Sequence, residues 1–169
     1  MVSPGAATVD SVQTNEYANR CIREYLVASG GAGFIFSPLL NALAIAALEV
    51  QMITELAGIY QFPVPKKLVI YKILISLMGS IGPIYFSTQL LGAAAGMTPI
   101  GCVSYVLLMG GSGAAFVYAV GKVFQKHFES GGTFLSSDNE AVASYFRERY
   151  EEGKSLVPGI LASAKKSCA

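Results

Sequence analysis

Charged residues are scarce in this sequence of 169 residues. Asp, Glu, Lys and Arg make up 14% of the chain, against about 25% in an average water-soluble domain. Apolar residues make up 53%, and the mean hydropathy is +0.50. A composition this apolar excludes an intrinsically disordered chain, and a net charge of +1 excludes a basic nucleic-acid-binding module. The length is that of one domain with a substantial core.

Residue types that usually carry catalysis or bind metals are also few. The three cysteines, Cys21, Cys102 and Cys168, have no CxxC spacing and indicate neither a zinc site nor a disulfide framework. The single histidine, His127, belongs to no recognisable catalytic pattern, and we expect it at the surface. We therefore predict no enzymatic activity, no cofactor and no metal site.

A phosphate-binding loop is excluded by the residues around Gly121-Lys122. A P-loop requires a glycine, four residues, and then Gly-Lys followed by Ser or Thr. Phe116 stands at the position of the first glycine, and Val123 replaces the hydroxyl residue that would hold magnesium. The sequence therefore predicts no nucleotide site.

Two long stretches, residues 25–48 and 73–121, contain no Asp, Glu, Lys or Arg. Uncharged stretches of this length are typical of membrane segments, so they predict a membrane protein. The first stretch is too short to cross a hydrocarbon core of about 30 Å twice. It either crosses once or re-enters at Ser37-Pro38. The second predicts a helical hairpin of Ile73–Leu91 and Pro99–Gly121, joined by a short apolar turn.

Small residues in and beside this hairpin would let helices approach each other closely. The residues that we assign to helix packing are Gly92, Gly96, Gly110, Gly111 and Gly113. The alternative is that these glycines only kink the helices or loosen the turns.

Glu49 and Glu55 are the only charges in a predicted helix over Asn41–Tyr60. A carboxylate inside a membrane is usually functional, because burying an unpaired charge there is costly. The alternative is that both carboxylates lie at the membrane interface and face water or a lysine.

The rest of the chain predicts an all-α fold with amphipathic helices outside the membrane hairpins. Residues 1–14 are expected to form a flexible tail, 15–154 a single membrane-embedded helical domain, and 155–169 a C-terminal tail. Ser137 and Glu140 match a capping box at the start of the last helix. We expect that helix to end at Gly153 or before Pro158. Its predicted partner-facing residues are Tyr145, Phe146, Arg149 and Tyr150.

Three passages resemble a known family, the domain-of-unknown-function family 697. Leu43–Tyr60 is similar to a helix of the form ALxVQMIxxLAxIY, Val117–Gly132 to the pattern TYAxGxxFxxHFExGG, and Tyr145–Lys154 to the closing helix of that family. The resemblance extends over about Phe34 to Lys154. It implies a bacterial, membrane-associated helical domain that often follows an Era-like GTPase domain.

Two features of this chain depart from the family pattern. Pro38 is the single proline where the family often reads IPIP, and this sequence contains no GTPase domain. The resemblance therefore implies the helical module alone, without GTP hydrolysis.

These observations predict a non-enzymatic integral membrane scaffold or accessory subunit that presents charged helices to cytoplasmic partners. Lysines on both flanks of the hairpin place the charged segments on the cytoplasmic side, in a bacterial inner or intracytoplasmic membrane. The expected partners are the lipid bilayer and other protein subunits or further copies of the chain, and not nucleic acid.

Two alternatives stay open at this point. One is a homo-oligomeric pore or transporter-like element, suggested by the interrupted segments Gly30–Pro38 and Gly79–Pro83. The other, suggested by the resemblance, is a regulatory membrane module for a separately encoded GTPase.

Overall fold

Four α-helices make up most of the described part of the chain. The computed structural model describes residues 4–30, 38–63, 66, 70 and 99–167. The helices are α1 (Pro4–Gly30), α2 (Pro38–Ile59), α3 (Pro99–Glu129) and α4 (Asn139–Ser167), with a 3-10 turn at Phe134–Ser136 before α4. No strand occurs in these ranges, so the all-α prediction is confirmed for the described residues.

Helix α3 forms the centre of the bundle. Its residues 112–121 are buried on every side, because α1, α2 and α4 all pack against it. A helix that is apolar around its whole circumference belongs in a protein core or a membrane. Phe116 of α3, for example, contacts Phe146 of α4 with the ring centroids 5.4 Å apart. The apolar character of residues 112–121 therefore matches their burial among three helices.

The membrane-spanning helices expected from the sequence are not confirmed. Within the described ranges, no helix has both the length and the apolar content that a bilayer crossing requires. The expected span Ile73–Leu91 and the linker glycines Gly92 and Gly96 lie outside the described residues. Ser37 of the expected turn at Ser37-Pro38 also lies outside the described residues, and Pro38 is the first residue of α2.

Contacts at two glycines show that α2 runs parallel to α3. A Cβ atom on Gly113 would lie 2.7 Å from Cδ1 of Ile45, and one on Gly121 would lie 3.1 Å from Sδ of Met52. Helices α2 and α3 therefore lie close together at both glycines.

Helices α1 and α4 run antiparallel to α3. On α4, Val157 lies beside Gly111, and Gly153 lies against the backbone of Ala115. On α1, Ile22 lies beside Gly121. Asn19, earlier in α1, accepts a hydrogen bond from Lys122, later in α3.

This arrangement sorts the charges along the bundle. The charge-free end comprises 25–30 of α1, 38–48 of α2, 99–121 of α3 and 155–164 of α4, none of which contains Asp, Glu, Lys or Arg. The charged end comprises α1 up to Glu24, α2 from Glu49, α3 from Lys122 and α4 up to Lys154. Segments far apart in sequence therefore meet according to their charge.

The helix boundaries differ from the predicted ones at both chain ends. Helix α1 begins at Pro4, within the predicted tail, and proline is well tolerated in the first turn of a helix. Helix α4 continues past Gly153 and through Pro158 to Ser167. Gly153 lies inside the helix, and its missing side chain allows close contact with α3.

The cap of α4 lies one residue later than the predicted capping box. The Glu140 N–H donates a hydrogen bond to Oδ1 of Asp138 at 3.0 Å. The Ser137 hydroxyl instead donates to the Phe134 carbonyl at 2.6 Å. Asp138 is therefore the residue whose side chain accepts a hydrogen bond from a backbone N–H of the first turn.

Candidate functional site at the charged end

The hydroxyl group of Tyr60 joins three helices at the charged end. It lies 2.6 Å from Oδ1 of Asn15 on α1 and 3.1 Å from Oε1 of Glu129 on α3, and it accepts a hydrogen bond from Nε2 of Gln125 at 3.4 Å. Burial, together with the nearby carboxylate of Glu129, raises the pKa of Tyr60 to about 12. The hydroxyl therefore keeps its proton at neutral pH and donates a hydrogen bond to Asn15 or Glu129.

Lys122 extends this network towards the middle of the bundle. Its ammonium group donates hydrogen bonds to Oδ1 of Asn19 on α1 and, at 3.0 Å, to Oε1 of Gln125. It also lies 5.8 Å from the centre of the Tyr118 ring. Burial lowers the pKa of Lys122 from its usual value. The cation is thus held by neutral amide oxygens and an aromatic face.

Helix α4 contributes a second polar cluster around Glu152. The Tyr118 hydroxyl donates to Oε1 of Glu152 at 2.9 Å, and Arg149 pairs with the other oxygen of that carboxylate. Arg149 also pairs with Glu148 at 2.6 Å and lies 5.0 Å from the Tyr145 ring centre. The hydrogen bond from Tyr118 to Glu152 links the polar face of α4 to α3, whereas the Arg149 contacts lie within α4.

The four residues expected to face a partner divide into two pairs. Phe146 is fully buried and Tyr150 is 5% exposed, and the Phe146 ring packs against Phe116 of α3. Tyr145 and Arg149 are half-buried, and Lys126 lies 4.3 Å from the Tyr145 ring centre. Helix α4 therefore leaves only Tyr145 and Arg149 of the four for a partner, and that role stays a prediction.

Glu55 connects α1 and α2 on the outside of the charged end. One carboxylate oxygen accepts a hydrogen bond from the Tyr25 hydroxyl at 2.7 Å, and the other faces Sγ of Cys21 at 3.5 Å. Burial and the Glu55 carboxylate raise the pKa of the Cys21 thiol to about 12. Glu55 is exposed. Cys21 is buried, and its raised pKa leaves little reactive thiolate at neutral pH.

Glu49 occupies the opposite environment, although it lies only six residues from Glu55. It is 2% exposed, and its Oε1 atom has no hydrogen-bond partner among the described residues. Burial raises its pKa to about 8. At neutral pH the side chain is therefore mostly an uncharged carboxylic acid, and it marks the border between the two ends of the bundle.

The glycines expected to pack helices have different surroundings. Gly113 is in close contact with Ile45, whereas a Cβ on Gly111 would meet only Val157 at an ordinary 3.9 Å. Gly110 lies in α3. Among the described glycines, the tightest backbone contact is at Gly153, which sequence patterns did not single out for packing.

His127 contributes to the turn after α3. Its Nδ1 atom accepts a hydrogen bond from the Leu135 N–H at 3.2 Å, and its carbonyl accepts one from Gly132 at 2.8 Å. The histidine is half-buried, and burial lowers its pKa. It acts here as a neutral side chain that holds the turn. Within the described ranges, no three His, Cys, Asp or Glu side chains lie close enough to share a metal ion.

A family model described as "Domain of unknown function (DUF697)" matches residues 6–155, most of the chain. The chain belongs to this family. The DUF697 chain is also similar to Magnetosome membrane protein 22 of Magnetospirillum gryphiswaldense, with 30% identity over 167 residues. That alignment covers 92% of this chain and 80% of the relative. No solved structure matches.

Two of the passages that carry the DUF697 resemblance meet in the structure. Tyr60, the last residue of the first passage, shares a hydrogen bond with Glu129 in the second. Met52 of the first passage also contacts Gly121 of the second. Sequence reasoning missed Tyr60 and Glu129 as a polar site, and their place in the two passages was the available signal.

Proposed function

We propose that this DUF697 protein is a membrane-associated, non-enzymatic scaffold or accessory subunit. In this proposal the charge-free end of the bundle lies in the bilayer, and the charged end is presented to cytoplasmic partners. The observation that carries it is the sorting of charge along the bundle axis. The name of its relative, a magnetosome membrane protein, supports the membrane part.

The α1, α2 and α4 portions of the charge-free end are short enough to insert into one leaflet. Its α2 portion, residues 38–48, is about 16 Å long at 1.5 Å per residue, about half of a hydrocarbon core of about 30 Å. Leu40 and Leu43 on this portion are 58% and 59% exposed, so lipid would cover apolar surface that otherwise faces water.

The expected hairpin completes this proposal. Helix α2 ends at the charged end, where the exposed Lys66 follows it. A chain that leaves from there along Ile73–Leu91 and returns through the first half of α3 would carry apolar residues deeper into the membrane. The lysines beside both ends of this hairpin favour a cytoplasmic charged end.

A fluorescent label at two matched positions tests the insertion. Leu43→Cys and Val12→Cys replace apolar residues of equal exposure, 59% and 58%, at the charge-free and charged ends. Cys102 and Cys168 are first changed to Ser, and buried Cys21 is kept. In vesicles of phosphatidylethanolamine and phosphatidylglycerol, we expect brominated lipid chains to quench an environment-sensitive dye at position 43 and not at position 12.

Equal quenching at both positions, or none at either, would contradict the proposed orientation. The partners of the charged end include other protein subunits and a separately encoded GTPase as one candidate. The interrupted segments behind the pore alternative lie almost entirely outside the described residues, so no observation favours a pore.

A further inference from the structure

We propose that a groove between α1 and α2 at the charged end binds a basic segment of a partner protein. The inference rests on the proposed scaffold function and adds the chemistry of the partner to it. The groove consists of two adjoining clefts of about 540 and 480 Å³, which share Thr14 and Ile59 in their lining.

Carboxylates lie at both ends of this groove. Glu129 lines the first cleft and Glu24 lines the second. Glu55 adds a third negative charge directly behind Cys21, which also lines the second cleft. Helices α2 and α3 both end beside the first cleft, at Ile59 and Glu129, and helix C-termini carry a partial negative charge.

Compensating positive charge in the groove is weak. Among the described residues, Arg20 is the basic side chain in the lining, and it pairs with Glu24 at 3.0 Å. Both side chains of this pair are mostly exposed, 78% and 65%, so the pair contributes little and a competing cation can replace it. Lys122 lies near Glu129, but its ammonium group is already held by two amide oxygens.

The groove also offers apolar surface for the stems of long side chains. The Tyr17 ring is 64% exposed in the lining, and half-buried Ile59 lies between the two clefts. Carboxylates at the ends with apolar surface between them match lysine or arginine side chains, which combine a cation with an apolar stem. From Asn15, beside Glu129, to Glu24 the groove is about 14 Å long, or roughly nine residues of a docked helix.

A pair of synthetic peptides tests this assignment without a membrane. The first is a labelled amphipathic helix with three lysines on one face, the second and third lying seven and eleven residues after the first. The other peptide carries glutamine at those positions. We expect the purified full-length protein in mild detergent to bind the lysine peptide more tightly, with an affinity that falls as salt increases.

Variants of the carboxylates locate the binding to the groove. Glu24→Gln and Glu129→Gln should each weaken the lysine peptide about two- to fivefold, and the double variant about tenfold, as expected for exposed ion pairs. Glu151→Gln is the matched control, because Glu151 is about as exposed as Glu24, 67% against 65%. It lies on α4, outside the groove lining. Its affinity should change less than twofold.

Three results would overturn the inference: equal affinity for both peptides, an equal loss in Glu151→Gln, or a wild-type dimer in sedimentation that Glu24→Gln and Glu129→Gln dissociate. The third result would place a second copy of the chain in the groove. Quenching of the label at position 43 is measured separately in the double variant. Loss of peptide binding with intact quenching, or the reverse, tells a failure of this inference from a failure of the proposed function.

Discussion

Replacing Gly153 with alanine tests how tightly α3 and α4 pack. The added Cβ would lie 3.0 Å from Cα and 3.1 Å from the carbonyl oxygen of Ala115, and 3.2 Å from Cδ1 of Tyr118. Favourable carbon–carbon contacts occur at about 3.5–4.0 Å. Two of the three neighbours are backbone atoms that cannot rotate away, so the two helices must separate.

The expected magnitude follows from two opposing effects. Overpacking costs about 1–3 kcal/mol, and the fixed backbone neighbours put this site in the upper part of that range, about 2–3 kcal/mol. Alanine in place of glycine favours a helix by about 1 kcal/mol. The net loss in the free energy of unfolding is therefore about 1–2 kcal/mol, which lowers Tm by about 2–8 °C for a domain of this size.

Urea unfolding followed by far-UV circular dichroism, in one mild detergent, measures this loss. Gly58→Ala in α2 is the matched control, because no atom lies within 4 Å of the added Cβ. This control should gain up to about 1 kcal/mol from helix propensity. An unfolding midpoint for Gly153→Ala equal to or above that of the wild type would refute the close α3–α4 contact.

Two further predictions concern buried titratable groups. Because the folded protein keeps the Glu49 proton up to a pKa of about 8 and the unfolded chain releases it near pH 4–5, stability should fall as pH rises from about 5 to 8, by about 3–5 kcal/mol. Glu49→Leu should remove this fall in urea unfolding, and parallel pH profiles would contradict the burial. With Cys102 and Cys168 changed to Ser, Cys21 in the folded protein should react with iodoacetamide far more slowly at pH 9 than a free thiol, because its pKa is about 12. Glu55→Gln should speed that reaction by removing a nearby charge. If Cys21 reacts as fast as a free thiol while Glu55 is present, Cys21 is not buried.

Local patterns explain how much of the fold could be predicted. The helical class and a long helix ending near Tyr60 follow from the spacing of apolar residues and from the prolines after position 62. The charge-free stretch 73–121 suggested lipid contact, because a window of sequence cannot distinguish a helix surrounded by protein from one surrounded by lipid. The structure surrounds residues 112–121 with three helices.

The sequence by itself determined where charges are absent, that the fold is helical and which family the chain resembles, because these properties depend on neighbouring residues. Only the tertiary structure decided which charge-free segments share one end of the bundle. It also decided that Glu49 is buried while Glu55 is exposed, and that Tyr60 meets Glu129 across 69 positions of sequence. These outcomes depend on helix direction and on the rotation of each helix against its neighbours, which are set by contacts such as Gly153 against Ala115.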